Sequence, residues 1–324
     1  MNPEATHRLR ARLDCGLVAA VPVPFDSGGR IHAAAQESYL RYMAEQPVEG
    51  VAVWAHTGRG LMLDEETAGR VLTDWRAALP RSVVVAGAGS RRGDDPERAT
   101  SETLLMAERA AALGADALLA YAPVWLRGHA RRDEMIVGHH RRLASVGLPV
   151  VLFYLYEEAG GISYSSSVLD ELLSMPEVVG IKMATLDSVM TYQDVARRLL
   201  ARHPDKLLIT GEDRFLGYSL MRGARSALVG MGAVCCELQA ELIRAHASGD
   251  AARFLKLSAD VDALAECLFV PPMEGYIHRV LWALAHLGVI PREAAHDPWG
   301  PEPPAREYEE IGRTLEALTG ARTR

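Results

Sequence analysis

The sequence predicts an α/β chain folded as a closed (β/α)8 barrel with a C-terminal helical extension. Three observations carry this. Eight short apolar runs recur at fairly even intervals, amphipathic stretches stand between them, and past Val234 the strand signal gives way to helical patterns alone. Eight strand–helix alternations over roughly 240 residues fit a (β/α)8, or TIM, barrel better than a doubly wound sheet with extra strands, which is the alternative.

The eight runs are residues 17–25, 50–55, 83–88, 117–124, 150–155, 178–183, 207–210 and 227–231. Most are rich in Val, Leu, Ile and Ala without strict alternation, as expected of strands covered on both faces. Between them, Asp64-Glu65-Glu66 opens a helix with the acidic first turn that the helix dipole favours. Pro96-Glu97 opens another, residues 101–113 are rich in good helix formers, and Ser165-Ser166-Ser167 offers several N-caps. Residues 237–248, 251–268, 276–287 and 305–318 read as helices, separated by Pro271-Pro272 and the proline-rich stretch 298–304. The chain is thus expected to divide into a barrel, 1–236, and a helical domain, 237–324.

Composition narrows the function. The 324 residues are 49% hydrophobic, enough for a large core, and the formal net charge is −7 with no long basic run. Nucleic acid is therefore not an expected partner. The N-terminal residues lack the apolar stretch of a signal peptide, and no apolar run is long enough to span a membrane. A soluble, cytoplasmic protein is expected. The four cysteines, Cys15, Cys235, Cys236 and Cys267, form no CxxC pair and read as free thiols in a reducing compartment.

In a barrel of this kind the chemistry stands at the C-terminal ends of the strands. Lysine is scarce, with only Lys182, Lys206 and Lys256 among 35 basic residues. Lys182 lies inside the sixth apolar run. Burial there favours the neutral amine, the nucleophile needed for imine formation. The same position suits a lysine that snorkels to the barrel mouth or pairs with a carboxylate. Lys206, in a polar turn, and Lys256, on a helix, read as surface residues. The fifth run ends Phe153-Tyr154-Leu155-Tyr156, where a tyrosine can move protons to and from an imine. Adjacent strand residues point oppositely, so Phe153 and Tyr154 cannot both face the axis. After the second run, His56-Thr57-Gly58-Arg59-Gly60 reads as a tight turn whose backbone N–H groups can hold a carboxylate.

At these residues the chain resembles the dihydrodipicolinate synthase and N-acetylneuraminate lyase superfamily. The resemblance rests on Val23-Pro24-Phe25, His56-Thr57-Gly58, Gly114-Ala115-Asp116-Ala117, Pro123, Tyr154 with Gly161, Gly180-Ile181-Lys182 and Gly211-Glu212-Asp213, in that order. It implies a lyase, an aldolase or dehydratase, in which Lys182 condenses with pyruvate or another 2-oxo acid. It further implies that Tyr154 shuttles the proton, and that His56, Thr57, Gly58, Trp125, Glu212 and Leu228 bind substrate. The iminium is the electron sink, so no metal or organic cofactor is implied. A homodimer or homotetramer is.

The departures are specific. His56 stands where the family has the first of two threonines, Trp125 where it has a second tyrosine, and Ala159 where the synthase has an arginine for its second substrate. With Glu157 and Glu158 alongside, the mouth repels an acidic co-substrate. A true dihydrodipicolinate synthase is therefore not expected. Spacing to Gly161 and Lys182 puts Tyr154 in the tyrosine position, whereas counting forward from Pro149 puts Phe153 there; the first is preferred.

Other signals read as structural. His139-His140 reads as a solvated helix face, Gly87-Ala88-Gly89 lacks the rest of any phosphate-loop pattern, and Trp282 and Trp299 read as packing. Two further readings stand beside the lyase: a degenerate barrel that binds a 2-oxo acid or sugar acid without turnover, and a metal-dependent barrel enzyme, for which no His-x-His pair speaks.

Overall fold

The computed structural model describes residues 3–91, 95–186 and 188–320. The barrel strands are β1 (Leu17–Ala20), β2 (Gly50–Val53), β3 (Val83–Ala88), β4 (Ala117–Ala120), β5 (Val150–Leu155), β6 (Val178–Ala184), β7 (Leu207–Thr210) and β8 (Ser226–Val229). Before and between them run helices α1 (Pro3–Leu13), α2 (Ala33–Ala44), α3 (Glu65–Ala78), α4 (Pro96–Ala112), α5 (Arg132–Ala144), α6 (Ser166–Leu173), α7 (Val189–Arg202) and α8 (Leu216–Met221). Each strand pairs in parallel with its sequence neighbours, and β1 pairs with β8, so the sheet closes into the expected (β/α)8 barrel. Of the three serines expected to cap, Ser165 does so, accepting from the Val168 N–H, and the helix expected at Asp64-Glu65-Glu66 starts there, with Asp64 accepting from the Thr67 N–H.

β3, β5 and β7 fall on the expected residues, whereas β1 stops at Ala20 and β4 at Ala120. The residues that follow, such as Val21, Val23 and Ala122, are buried in loops whose side chains join the outer apolar layer. Their composition imitates a strand.

Alternation along each strand sorts residues between two cores. Val18, Ala20, Val151, Phe153, Ile209 and Leu228 belong to the apolar cluster that fills the barrel. Leu17, Ala19, Leu152, Tyr154 and Met183 belong to the layer between strands and helices. Leu9 and Leu13 of α1 join the inner cluster and close the lower end.

The C-terminal part contains α9 (Cys236–Ser248), α10 (Ala251–Leu268), α11 (Tyr276–His286) and α12 (Ala305–Thr319), close to their expected bounds. Their buried faces, with Leu264, Val280 and Ile311, continue the outer apolar layer. The link between α10 and α11 is pinned by two arginines, the exposed Arg214 and the buried Arg279. Arg214 Nη1 donates to the Phe269 carbonyl at 2.9 Å. Arg279 Nη1 donates to the Val270 carbonyl at 2.8 Å and the Pro272 carbonyl at 3.2 Å. Arg279 Nε reaches Glu307 at 2.7 Å.

Two surface assignments change. His139 and His140 are buried, because α5 turns both into the helix layer. His139 Nδ1 meets the Thr100 hydroxyl, His140 Nδ1 the Ile136 carbonyl. Lys206 is half-buried and caps the Met175 and Val178 carbonyls. Among the described residues no helix is long and apolar enough to cross a membrane.

Candidate active site

β6 carries Lys182 into the barrel. Its register partners are Phe153 on β5 and Ile209 on β7, both members of the inner cluster. Its Nζ stands 4.3 Å from the centre of the Phe153 ring, a cation–π distance. Gly211 makes room for the lysine stem, since a Cβ there would lie 2.5 Å from Lys182 Cε. Lys182 is 5% exposed. Burial lowers its pKa to about 8, and the nearby Asp213 and Glu212 carboxylates only partly offset this. Asp213 shares the chamber; burial raises it to about 7, and its Oδ1 accepts the Met231 N–H at 2.8 Å.

The loop after β2 is sharply folded, with Trp54 at φ 55° and Arg59 at φ 51°. Gly60 is required because a Cβ there would meet the Trp54 carbonyl oxygen at 2.0 Å. The loop presents His56 and Thr57 to the chamber. Both meet the Tyr276 hydroxyl, contributed by α11: Thr57 Oγ1 at 3.0 Å and His56 Nδ1 at 3.1 Å. His56 Nε2 lies 3.4 Å from Glu274 Oε1. Burial lowers the His56 pKa to about 4, so the ring is neutral near pH 7.

Arg59 ties this loop to the C-terminal segment. Its guanidinium lies 2.8 Å from Glu274 and 2.6 Å from Asp297, itself 3% exposed. The result is a chamber of about 30 Å³ lined by Lys182, Phe153, Asp213, Thr57, His56 and Tyr276, with Phe269 and Met273 among the residues covering it. Such a space takes about one or two waters. His56 also borders an outer vestibule of about 430 Å³, along with Glu274, Arg91, Tyr121 and Glu158.

The structure brings Lys182, His56 and Thr57 together and separates the other expected site residues from them. Tyr154 faces outward, because Phe153 occupies the inward position opposite Lys182; its ring packs edge-on against Tyr164 at 5.7 Å. Trp125 lies in a buried turn of 3-10 helix, edge-on to His139 at 5.2 Å, away from the chamber. Glu212 is directed at backbone. It accepts from the Thr185 N–H at 2.6 Å, the Thr185 hydroxyl at 2.8 Å and the Leu186 N–H at 3.0 Å, holding Leu186 at φ 53°. The Gly58 N–H closes its own turn onto the Ala55 carbonyl at 3.0 Å. Leu228 packs in the inner cluster without lining the chamber. Sequence reasoning missed Glu274 and Tyr276, which reach the mouth from the helical part, and passed over Phe153 although the rule of opposite-facing neighbours already named it as Tyr154's competitor.

Among the described residues no group of three His, Cys, Asp or Glu is placed to hold a metal ion. Fold and site define a class: a (β/α)8 barrel with a buried lysine on its sixth strand. The chain belongs to the dihydrodipicolinate synthetase family, whose family model matches residues 14–318. It is 27% identical over 260 residues to the 4-hydroxy-tetrahydrodipicolinate synthase of Anaplasma marginale (strain Florida), covering 79% of this chain and 81% of that one. The structure of dihydrodipicolinate synthase from Oceanobacillus iheyensis superposes with a TM-score of 0.81 at 18% identity, covering 98% of this chain and 100% of that one. N-acetylneuraminate lyase from Mycoplasma synoviae (crystal form II) gives 0.74 at 23% identity, covering 96% and 98%. Members of the family are lyases.

Proposed function

We propose that this protein is a Schiff-base-forming lyase that acts on pyruvate or another 2-oxo acid through Lys182, as an aldolase rather than a dehydratase. One observation carries the reading: of the three lysines, Lys182 alone is held inside the barrel mouth, where burial lowers its pKa to about 8 and so makes the neutral, nucleophilic amine accessible near neutral pH. Its Nζ attacks the ketone carbon, water leaves, and the iminium then accepts the electron pair of the carbon–carbon bond being broken. The barrel, 1–236, contributes the lysine, and the helical part, 237–324, contributes the cover.

The departures favour a reaction other than dihydrodipicolinate synthesis. Phe153 has no proton to give, and Ala159 with Glu158 borders the vestibule in place of a clamp for an acidic second substrate. The assembly expected is a homodimer or homotetramer in the cytoplasm, which sedimentation of purified protein and fractionation of cells test.

Phe153 also favours a second reading, a barrel that binds a 2-oxo acid without turnover. One experiment separates them. Wild type and Lys182→Ala are incubated with pyruvate and then a panel of 2-oxo acids, reduced with borohydride, and weighed intact. An adduct in wild type alone supports the lyase. No adduct with any 2-oxo acid overturns it and leaves the binding protein.

A further inference from the structure

Any lyase working through an imine must move a proton at the carbon beside it, and β5 presents Phe153, which cannot. The chamber does hold a phenol, carried by α11 of the helical part: Tyr276, 7% exposed, lines the same small space as Lys182. In a chamber of about 30 Å³ a group built on the lysine nitrogen shares its space with this phenol.

The partners of Tyr276 fix a direction. A carboxylate only accepts, so the His56 proton belongs on Nε2, facing Glu274 at 3.4 Å. Nδ1 then carries the lone pair and accepts the Tyr276 O–H at 3.1 Å. The Tyr276 oxygen in turn accepts the Thr57 O–H at 3.0 Å. Gly230 lets the ring approach; a Cβ there would meet Tyr276 at 3.0 Å and Thr57 Oγ1 at 3.2 Å. Glu274 has a side chain 34% exposed and borders the vestibule. The series Tyr276, His56, Glu274 therefore runs from the closed chamber to the open side.

Resting on the Schiff-base reading, we infer that Tyr276 is the catalytic acid–base of this chain, exchanging its proton with the vestibule through His56 and Glu274. When the iminium loses a proton from the neighbouring carbon, the C–H pair becomes the enamine double bond and the iminium nitrogen takes back its own pair. The proton arrives on the Tyr276 oxygen as the phenol proton passes to His56 Nδ1 and the Nε2 proton passes to the Glu274 carboxylate. Protonation of the enamine after bond cleavage runs the same transfers in reverse.

The test pairs borohydride trapping with exchange of the pyruvate methyl protons in D2O, followed by proton NMR. Tyr276→Phe is expected to form the wild-type adduct while exchange falls by about 100-fold or more. His56→Asn keeps an acceptor near the position of Nδ1 but cannot pass a proton on. It is expected to trap normally and to exchange at least about tenfold more slowly, and it carries the test alone if Tyr276→Phe does not fold. Normal exchange in folded Tyr276→Phe, or in His56→Asn, with trapping intact overturns the relay and leaves the lyase standing. Loss of trapping in folded Tyr276→Phe assigns the phenol to imine formation and overturns the relay as well. No adduct in wild type with pyruvate or any other 2-oxo acid of the panel overturns the lyase and the relay together.

Discussion

The two ends of the barrel are closed by opposite means. The lower end is plugged by Leu9 and Leu13 of α1, which enter the inner apolar cluster. The upper end is covered from the C-terminal part by Phe269, Met273, Glu274 and Tyr276, with Arg59 bound between Glu274 and the buried Asp297. An apolar plug removes water without directing anything. Buried charges add little net stability, because desolvation offsets their attraction, yet they hold one geometry. The polar end is thus the one built for chemistry, and it coincides with the C-terminal ends of the strands, where barrels of this type carry their sites.

Substitutions at each end break this comparison in different ways. Arg59→Ala strands Asp297 in a buried position and frees Glu274 from its cation. A loss of about 3–5 kcal/mol is expected in urea unfolding, together with weaker imine trapping. Leu13→Ala, at a residue 2% exposed, removes apolar contact only. It is expected to cost about 2–3 kcal/mol while the folded protein traps pyruvate as wild type does. Equal losses of trapping in the two variants would mean that the ends are not functionally distinct.

The same contrast explains what was legible in the sequence. The barrel was readable because strands covered on both faces are continuous apolar runs, and eight of them alternate with helices. That property hides which way a residue faces. In β5 every residue is buried, so Phe153 and Tyr154 are distinguishable only through the pairing of Phe153 with Lys182 across β5 and β6. Composition also misplaced His139 and His140, polar residues that α5 buries against Trp125 and Tyr164. Tyr276 and Glu274 were illegible for another reason. Tyr276 meets Thr57 across 219 residues of chain, and nothing local to α11 announces that its first residue reaches the barrel mouth.

The smallest expected effect concerns the charge environment at the polar end. Below about pH 8 Lys182 is an ammonium without a lone pair, and above it a free amine. The rate of imine formation should therefore rise with pH through about 8 and level off above. His56, lowered to about 4 by burial, stays neutral over that range and adds no limb of its own. The Asp213 carboxylate stabilises the ammonium, so its removal favours the amine. Asp213→Asn is expected to move the rising limb toward acid by about one pH unit, read from trapping rates between pH 6 and about 9. An unmoved limb would show that the Asp213 charge is not felt at the lysine. A move toward alkali would contradict the premise, because with the Asp213 charge gone burial is opposed by less and can only favour the amine.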